Sequence, residues 1–285
     1  MCYNRSVYFN SIFMNKIIIA FDATNFSMGA VEFIMRRNLD YPCRVKAYFL
    51  SPVEHSSLLG YQLVPAEHLV VDEADEMDDT ALRNIEFFKG FCERHDIQAS
   101  IYADESKGTL QAMIEDTRFA DLLVVGMESF FTNVDEELHD ATLGEILHSS
   151  ECPVFLVPDD YFQPARIIFS YDGSASSMYA IRQFCHLLPE MHKRVATLVY
   201  ASSKEEEIPN KEMVTDYLSR HFDTLIIQKL DIDARKYFST WVADKECAML
   251  VAGAFGRSGF SELFKSSFVS GLLRQHKVPM FIAHK

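Results

Sequence analysis

A glycine- and serine-rich stretch has the composition of a loop that could hold a phosphate group. The sequence VAGAFGRSGFSELFKSS covers residues 251–267 and places Gly253 and Gly256 directly after a short apolar run. A glycine at the end of a strand has no Cβ, so the backbone can approach a ligand and turn its N–H groups towards an anion. Ser266 and Ser267 stand where a following helix would begin, and free N–H groups at a helix start attract phosphate. The alternative is a glycine-rich turn without a ligand.

Two aspartates occupy the same position in two similar stretches of the chain. KIIIAFDATNFSMGAVEFIMR contains Asp22, and RIIFSYDGSASSMYAIRQFCH contains Asp172. Two further pairs of segments repeat in the same order, ADLLVVGM with CAMLVAGA and CPVFLVP with VPMFIAH. Three blocks in one order indicate a duplication of a single fold unit.

Each copy alternates apolar segments of strand length with segments of helical periodicity. In copy one the predicted strands are 16–21, 44–50, 97–102, 121–126 and 153–157. This alternation is typical of a parallel sheet with helices on both faces and right-handed crossovers. The predicted fold is therefore α/β, with two tandem open five-stranded Rossmann-like sheets. Ligands on such sheets bind where the strand order reverses, which directs attention to the carboxyl ends of the first and fourth strands of each copy.

The predicted domains are 14–158 and 165–285, with 1–13 as an N-terminal extension. Met14 stands directly before the first strand pattern and is a candidate start. The extra length of copy one is assigned to a long loop within 51–80. The last strand of each copy is apolar, and exposed strand edges of that kind are usually paired or covered. We therefore predict that the two last strands pair and form an intramolecular pseudo-dimer.

Charge and composition exclude several classes of function. The formal net charge of −14 opposes binding to nucleic acids and anionic membranes, because phosphate backbones need clustered lysine and arginine. No segment has the roughly 18 consecutive apolar residues of a membrane span. The six cysteines and ten histidines lack metal-ligand spacing, so we expect buried free thiols in the cytoplasm and no metal site. Neither a nucleophile elbow nor a P-loop is present, and no catalytic residue is predicted.

The segments IIFSYDGSASSMYAI and LLVAGAFGRSGFSELFKSSFVSGLLRQHKVPMFIAH resemble a universal stress protein domain, and the resemblance extends over both copies. ATP-binding members of this family carry G-x-x-G, nine residues and then G-[ST] before the last helix, and an acidic residue after the first strand. The resemblance implies that ATP, with magnesium, binds in the second domain only. The residues it implicates are Asp172, Val199, Gly253, Gly256, Arg257, Ser266, Ser267 and Phe268. Ser266 replaces the family's glycine, and Val269 replaces a small polar residue.

Copy one departs further from the family's pattern. Ser129 replaces the second glycine, and Asp140 stands where the later glycine would be. Three more carboxylates precede it, and their charge would repel a phosphate. We therefore expect copy one not to bind ATP, and we assign Asp22 to capping of the following helix.

Two classes of function remain open from the sequence. The first is a cytoplasmic stress-response protein whose second domain binds ATP as a regulatory ligand with little or no turnover. The second is a stress or interaction module that binds no nucleotide and acts through protein partners, as a pseudo-dimer or a further homodimer. An enzyme that uses adenine nucleotides is a third option without a visible catalytic constellation.

Overall fold

The structure is a computed structural model that describes residues 15–23, 25–50, 79–102, 109–127, 136–203, 207–253 and 278–283, with the backbone alone for 136–142 and 235. The described strands are β1 (Asn15–Asp22), β2 (Cys43–Leu50), β3 (Gln98–Tyr102), β4 (Leu122–Gly126), β5 (Val154–Val157), β6 (Arg166–Ser170), β7 (Val195–Ala201), β8 (Thr224–Leu230), β9 (Ala248–Gly253) and β10 (Met280–Ala283). The described helices are α1 (Met28–Asp40), α2 (Asp79–Arg94), α3 (Thr109–Thr117), α4 (Glu136–Ser149), α5 (Ala175–Leu187), α6 (Lys211–Ser219) and α7 (Ala234–Ala243), with a 3-10 helix at Pro189–Lys193.

These strands form one sheet in the order β3-β2-β1-β4-β5-β10-β9-β6-β7-β8. We call β1–β5 with their helices the first unit, and β6–β10 with theirs the second unit. Within each unit the paired strands are parallel. The strand order reverses between β1 and β4, and again between β6 and β9. Both predicted reversal points are thereby confirmed, and they mark the crevices at which such sheets bind ligands.

The two units meet at an antiparallel pair between β5 and β10. Phe155 lies opposite Phe281, and the neighbouring pairs are Leu156 with Met280 and Val154 with Ile282. All of these side chains are buried. The predicted pairing of the two last strands is confirmed, and it joins the two five-stranded halves into a single ten-stranded sheet.

Both faces of the sheet are covered by apolar side chains, as expected for parallel strands. Alternate strand residues point to opposite faces, so Ile17 and Ile19 lie in one core cluster, and Ile18 and Ala20 lie in the other. Each cluster contains side chains from both units. The cores therefore continue across the β5–β10 junction.

Four of the described cysteines, Cys43, Cys92, Cys152 and Cys185, are buried free thiols, and Cys247 is exposed. Burial raises the pKa of each buried thiol, which keeps it protonated and unreactive at neutral pH. None of the described helices has the length and apolar character that a bilayer crossing requires.

Candidate functional site

The carboxyl edge of the second unit brings together the ends of β6 and β9. Phe169 pairs with Val251, so the residues that follow each of them lie side by side. Gly253 ends β9, and Asp172 follows β6 by two residues. The reversal of strand order thus places both predicted site residues at the same edge of the sheet, at the carboxyl ends of neighbouring strands.

A tight turn after β6 fixes the position of Asp172. The Asp172 carboxylate is half-buried, and its Oδ1 accepts a hydrogen bond from the backbone N–H of Ser174 at 2.9 Å. Gly173 has a φ of +81°, and a Cβ there would lie 2.6 Å from Cβ of Pro209. The turn requires glycine for both reasons. The carboxylate is therefore held at the sheet edge rather than free to swing away.

Helix α5 begins directly above this edge. Ser174 is its N-cap, and the Ser174 hydroxyl oxygen accepts a hydrogen bond from the backbone N–H of Ser177 at 3.1 Å. The Ser177 hydroxyl donates to the carbonyl oxygen of Ser174 at 3.0 Å. This reciprocal cap fixes the direction in which the helix leaves the edge.

Gly253 has a packing role that sequence reasoning missed. A Cβ at this position would lie 2.6 Å from the carbonyl carbon and oxygen of Ser176, and 2.7 Å from the nitrogen of Ser177. The first turn of α5 therefore rests on the end of β9. The contact accounts for a glycine here whether or not a ligand also approaches.

Val199 lies at the same end of the sheet. It pairs with Ser170 and Gln228, and its carbonyl oxygen accepts a hydrogen bond from the backbone N–H of Tyr171 at 3.0 Å. Its side chain is buried. Val199, Asp172 and Gly253 are the predicted site residues that the structure describes. The remaining predicted site residues lie outside the described residues, namely Gly256, Arg257, Ser266, Ser267 and Phe268.

The matching edge of the first unit corrects one prediction. Ser27, and not Asp22, caps α1, with its hydroxyl oxygen 3.3 Å from the backbone nitrogen of Ala30. Asp22 is buried, and its Oδ1 instead accepts a hydrogen bond from the backbone N–H of Asn25 at 3.0 Å. The capping prediction was wrong because the helix begins later than assumed, and the aspartate stabilises the turn before it.

The segment after β5 also occupies this edge. The Ser27 hydroxyl donates to Oδ1 of Asp159 at 2.7 Å. A Cβ at Gly29 would lie 1.8 Å from the carbonyl oxygen of Pro158. The start of α1 is thus in direct contact with the chain that leads to the second unit.

A polar cluster in the first unit was also missed from the sequence. Asp116 on α3 lies 3.1 Å from Nζ of Lys16 and 2.9 Å from Nζ of Lys46, and its Oδ2 accepts a hydrogen bond from the Tyr48 hydroxyl at 3.1 Å. The Tyr48 and Tyr102 rings lie 5.0 Å apart. Two lysines inside otherwise apolar segments were the signal that could have revealed it.

The charge balance of this cluster favours an ionised carboxylate. Burial opposes ionisation of Asp116, but the hydrogen bonds from Lys46, Lys16 and Tyr48 outweigh burial and hold the pKa of Asp116 below its ordinary value. Burial also raises the pKa of Tyr48, which keeps its hydroxyl protonated as a donor. The cluster is therefore a stable ion-pair network under neutral conditions.

Tyr48 and Val199 occupy equivalent positions in the two units. Tyr48 pairs with Ala20, and Val199 pairs with Ser170, which aligns with Ala20 in the repeat. The same comparison sets Lys46 against Thr197. At this place the first unit has a large aromatic side chain, and the second unit has a small aliphatic one.

A further cavity of about 320 Å³ lies at the opposite, amino-terminal edge of the second unit. The residues that line it include Cys185, Leu188, Phe222, His192 and His221. Burial and the nearby His186 lower the pKa of His221.

Among the described residues there is no group of three or more side chains that could hold a metal ion.

Comparison with known proteins adds a sequence relationship. No family profile matches the chain. A universal stress protein of Synechocystis sp. is 23% identical over 185 residues, which is 64% of this chain and 64% of that protein. The match therefore spans less than two thirds of the relative's own length.

Solved structures share the fold over nearly the whole chain. A universal stress protein from Archaeoglobus fulgidus superposes with a TM-score of 0.67 and 14% identity, covering 95% of this chain and 96% of that one. The cytoplasmic domain of a prokaryotic cation chloride cotransporter superposes with a TM-score of 0.53 and 13% identity, covering 94% of each chain. At these identities the structures establish the architecture alone.

Proposed function

Because the chain belongs to the universal stress protein family and carries two such domains in tandem, we propose that its second unit binds an adenine nucleotide. The proposed ligand is ATP with magnesium. It acts as a regulatory ligand of a cytoplasmic stress-response protein, with little or no turnover. The proposed domains are 14–158 and 165–285.

The reversal point between β6 and β9 is the observation that carries this proposal. It brings Asp172 and Gly253 together, with Val199 on the next strand. A carboxylate held by a tight turn can accept hydrogen bonds from a ribose or help to hold magnesium. The proposed phosphate contacts are Gly256, Arg257, Ser266 and Ser267, which sequence alone supports.

The first unit has features that oppose a ligand at its own edge. Asp159 adds a carboxylate at the start of α1. Tyr48 stands at the position equivalent to Val199 and fills it with a larger side chain. Asp22 is also more deeply buried than Asp172. We therefore propose one nucleotide for each chain.

The first experiment asks whether the protein carries a nucleotide. Protein purified without added nucleotide is denatured, and the released small molecules are identified by anion-exchange chromatography with mass detection. The stripped protein is then titrated with Mg-ATP by calorimetry. Adenine nucleotide in the released fraction, or one micromolar site per chain, is expected. Absence of both would exclude a nucleotide ligand.

A matched pair of variants locates the site. Asp172→Asn keeps an oxygen that can accept from the Ser174 N–H and removes the charge, so the turn is preserved. We expect it to weaken Mg-ATP binding about tenfold, as for a lost charge-assisted contact. Asp22→Asn makes the same change in the first unit and should leave the affinity unchanged. Equal effects of the two variants would contradict a site confined to the second unit.

A second candidate function is an interaction module without nucleotide. The packing of α5 on Gly253 favours it, because that contact accounts for the glycine without any ligand. One structure with the same fold is described as the cytoplasmic domain of a cation chloride cotransporter. This function is preferred if the calorimetric and release experiments are both negative.

A further inference from the structure

The junction between the units contains a buried charge on each side. Phe155 and Phe281 face each other across it and mark the axis about which the two units are related. Arg37 lies near the end of α1 in the first unit and is 3% exposed. Glu190 lies in the 3-10 helix that follows α5 in the second unit, and its side chain is 9% exposed.

The Arg37 guanidinium joins the units through two contacts. Nε lies 3.4 Å from Oε1 of Glu190. Nη2 donates hydrogen bonds to the carbonyl oxygen of Leu187 and to Oδ1 of Asn15, each at 3.1 Å. Leu187 ends α5, where free carbonyl groups favour a positive charge. Arg37 therefore neutralises a carboxylate and caps a helix of the opposite unit.

This pair is a poor source of stability. Within the described residues, Nε and Nη1 of Arg37 and Oε2 of Glu190 make no hydrogen bond. Burial raises the pKa of Glu190 despite the attraction of Arg37. Buried ion pairs of this kind often stabilise a protein no better than apolar side chains would, and their best-attested use is to specify how elements pair.

The strands at the junction do not by themselves distinguish the units. β5 reads VFLV and β10 reads MFIA, and both are apolar and buried. Either strand could therefore pair with a copy of itself in another chain. The charges do distinguish them, because the repeat aligns Arg37 with Leu187 and Glu190 with Asp40.

Pairing of two second units would misplace these charges. Two second units would bury two Glu190 carboxylates without the guanidinium of Arg37. Two first units would instead set Arg37 of each copy against Asp40 of the other, because Asp40 stands at the position of Glu190 in the repeat. Only the pairing of two second units therefore buries charge that is badly compensated.

We propose that Arg37 and Glu190 direct the second unit to pair with the first unit, and that they prevent the second unit from pairing with its own copy in a second chain. The fitting partner of the Glu190 surface is a surface with a buried guanidinium, which a second copy of the same unit lacks because Leu187 stands at that position. Specificity of this kind rests on penalties for the wrong partner as well as on contacts with the right one.

The test uses the full chain and three variants, Arg37→Met, Glu190→Met and the double variant. Each single variant leaves one buried charge unpaired and should lower the folded-to-unfolded ratio by about 100-fold in urea unfolding. The double variant should recover most of that ratio. Arg36→Met is the control, because Arg36 lies on the same helix but pairs with Glu32 of its own unit.

Pairing itself is read by cross-linking between chains. Lys193 is exposed in the same 3-10 helix as Glu190, so a link between Lys193 of two chains reports contact between two second units. Chains with and without 15N are mixed, and mixed-isotope links are counted by mass spectrometry. The double variant should give about tenfold more of these links than the wild type or Arg36→Met. If the double variant recovers stability and its link yield equals that of the wild type, the proposal is overturned.

A failure of the two single variants to lose stability would also overturn the proposal, since the charges would then not be coupled. These outcomes are independent of nucleotide binding.

Discussion

At the carboxyl edge of the first unit, α1 touches the segment that follows β5, whereas at the same edge of the second unit α5 rests on the end of β9. Each contact depends on a glycine, but the glycine stands on a different element in each unit. In the first unit the glycine is Gly29 on the helix, and in the second it is Gly253 on the strand. The repeat keeps a glycine at the strand end in both units, as Gly126 and Gly253, whereas the glycine on the helix occurs only in the first unit, because Tyr179 stands at the position of Gly29 in the second unit.

The outer part of the sheet differs in a second way. The first unit carries Lys46, Tyr48 and Asp116, where the second carries Thr197, Val199 and Ala243. In the first unit these side chains satisfy one another, with Lys46 lying 5.0 Å from the centre of the Tyr48 ring. Large side chains therefore fill this region in the first unit, and smaller side chains occupy the same positions in the second unit.

The largest expected effect comes from the helix contact of the first unit. Gly29→Ala would place Cβ 1.8 Å from the carbonyl oxygen of Pro158, which forces the backbone apart. We expect a loss of roughly 3 kcal/mol or more in the free energy of unfolding, measured in urea. Gly90→Ala is the control, since no atom beyond its own helix backbone and chain neighbours lies within 4 Å of the added Cβ, and it should gain about 0.5 kcal/mol. Equal stability of the two variants would contradict the contact.

Gly253→Ala tests the corresponding contact in the second unit. Its Cβ would lie 2.6 Å from backbone atoms of Ser176, so the first turn of α5 must shift. We expect a loss of about 1–3 kcal/mol in the same urea experiment, smaller than for Gly29→Ala. The reverse order of the two losses would show that the first unit is not the more tightly packed one.

Asp116→Asn tests the polar cluster that the second unit lacks. The neutral amide leaves two lysines without an anion, and we expect a loss of about 1–2 kcal/mol at pH 7. The wild-type contribution should be present above pH 4, the usual carboxyl range, and be lost as the pH falls through the lowered pKa of Asp116. Between pH 7 and pH 3, the midpoint temperature of thermal unfolding should therefore fall more steeply in the wild type than in the variant. Parallel curves of midpoint temperature against pH for the two proteins would show that ionisation of Asp116 does not contribute to stability.

The helix caps give the smallest expected difference. Ser174→Ala removes a cap and should cost about 1 kcal/mol. Ser27→Ala removes a cap together with the hydrogen bond to Asp159, and should cost about 1.5 kcal/mol. Hydrogen exchange at the first turns of α1 and α5 would locate each loss. A larger loss for Ser174→Ala would mean that the bond to Asp159 contributes nothing.

The fold could be predicted from the sequence because the repeat shows it twice. Apolar runs such as RIIFSY can be buried on both faces only in a covered parallel sheet, and alternation with helices then leaves few topologies. The position of Asp172 at the sheet edge followed from the same reasoning. The contacts of Asp22, Arg37 and Asp116 did not, because each depends on which distant element is packed against it.

The sequence by itself predicted the resemblance to universal stress proteins, the duplication, the points at which the strand order reverses and the edge at which a ligand would bind. These follow from local periodicity and from repeated segments, which need no knowledge of distant contacts. Only the tertiary structure decided that Gly253 supports α5, that Ser27 meets Asp159, and that Arg37 meets Glu190. Those pairs join residues far apart in the chain, and their positions are set by packing across the sheet and across the junction of the two units.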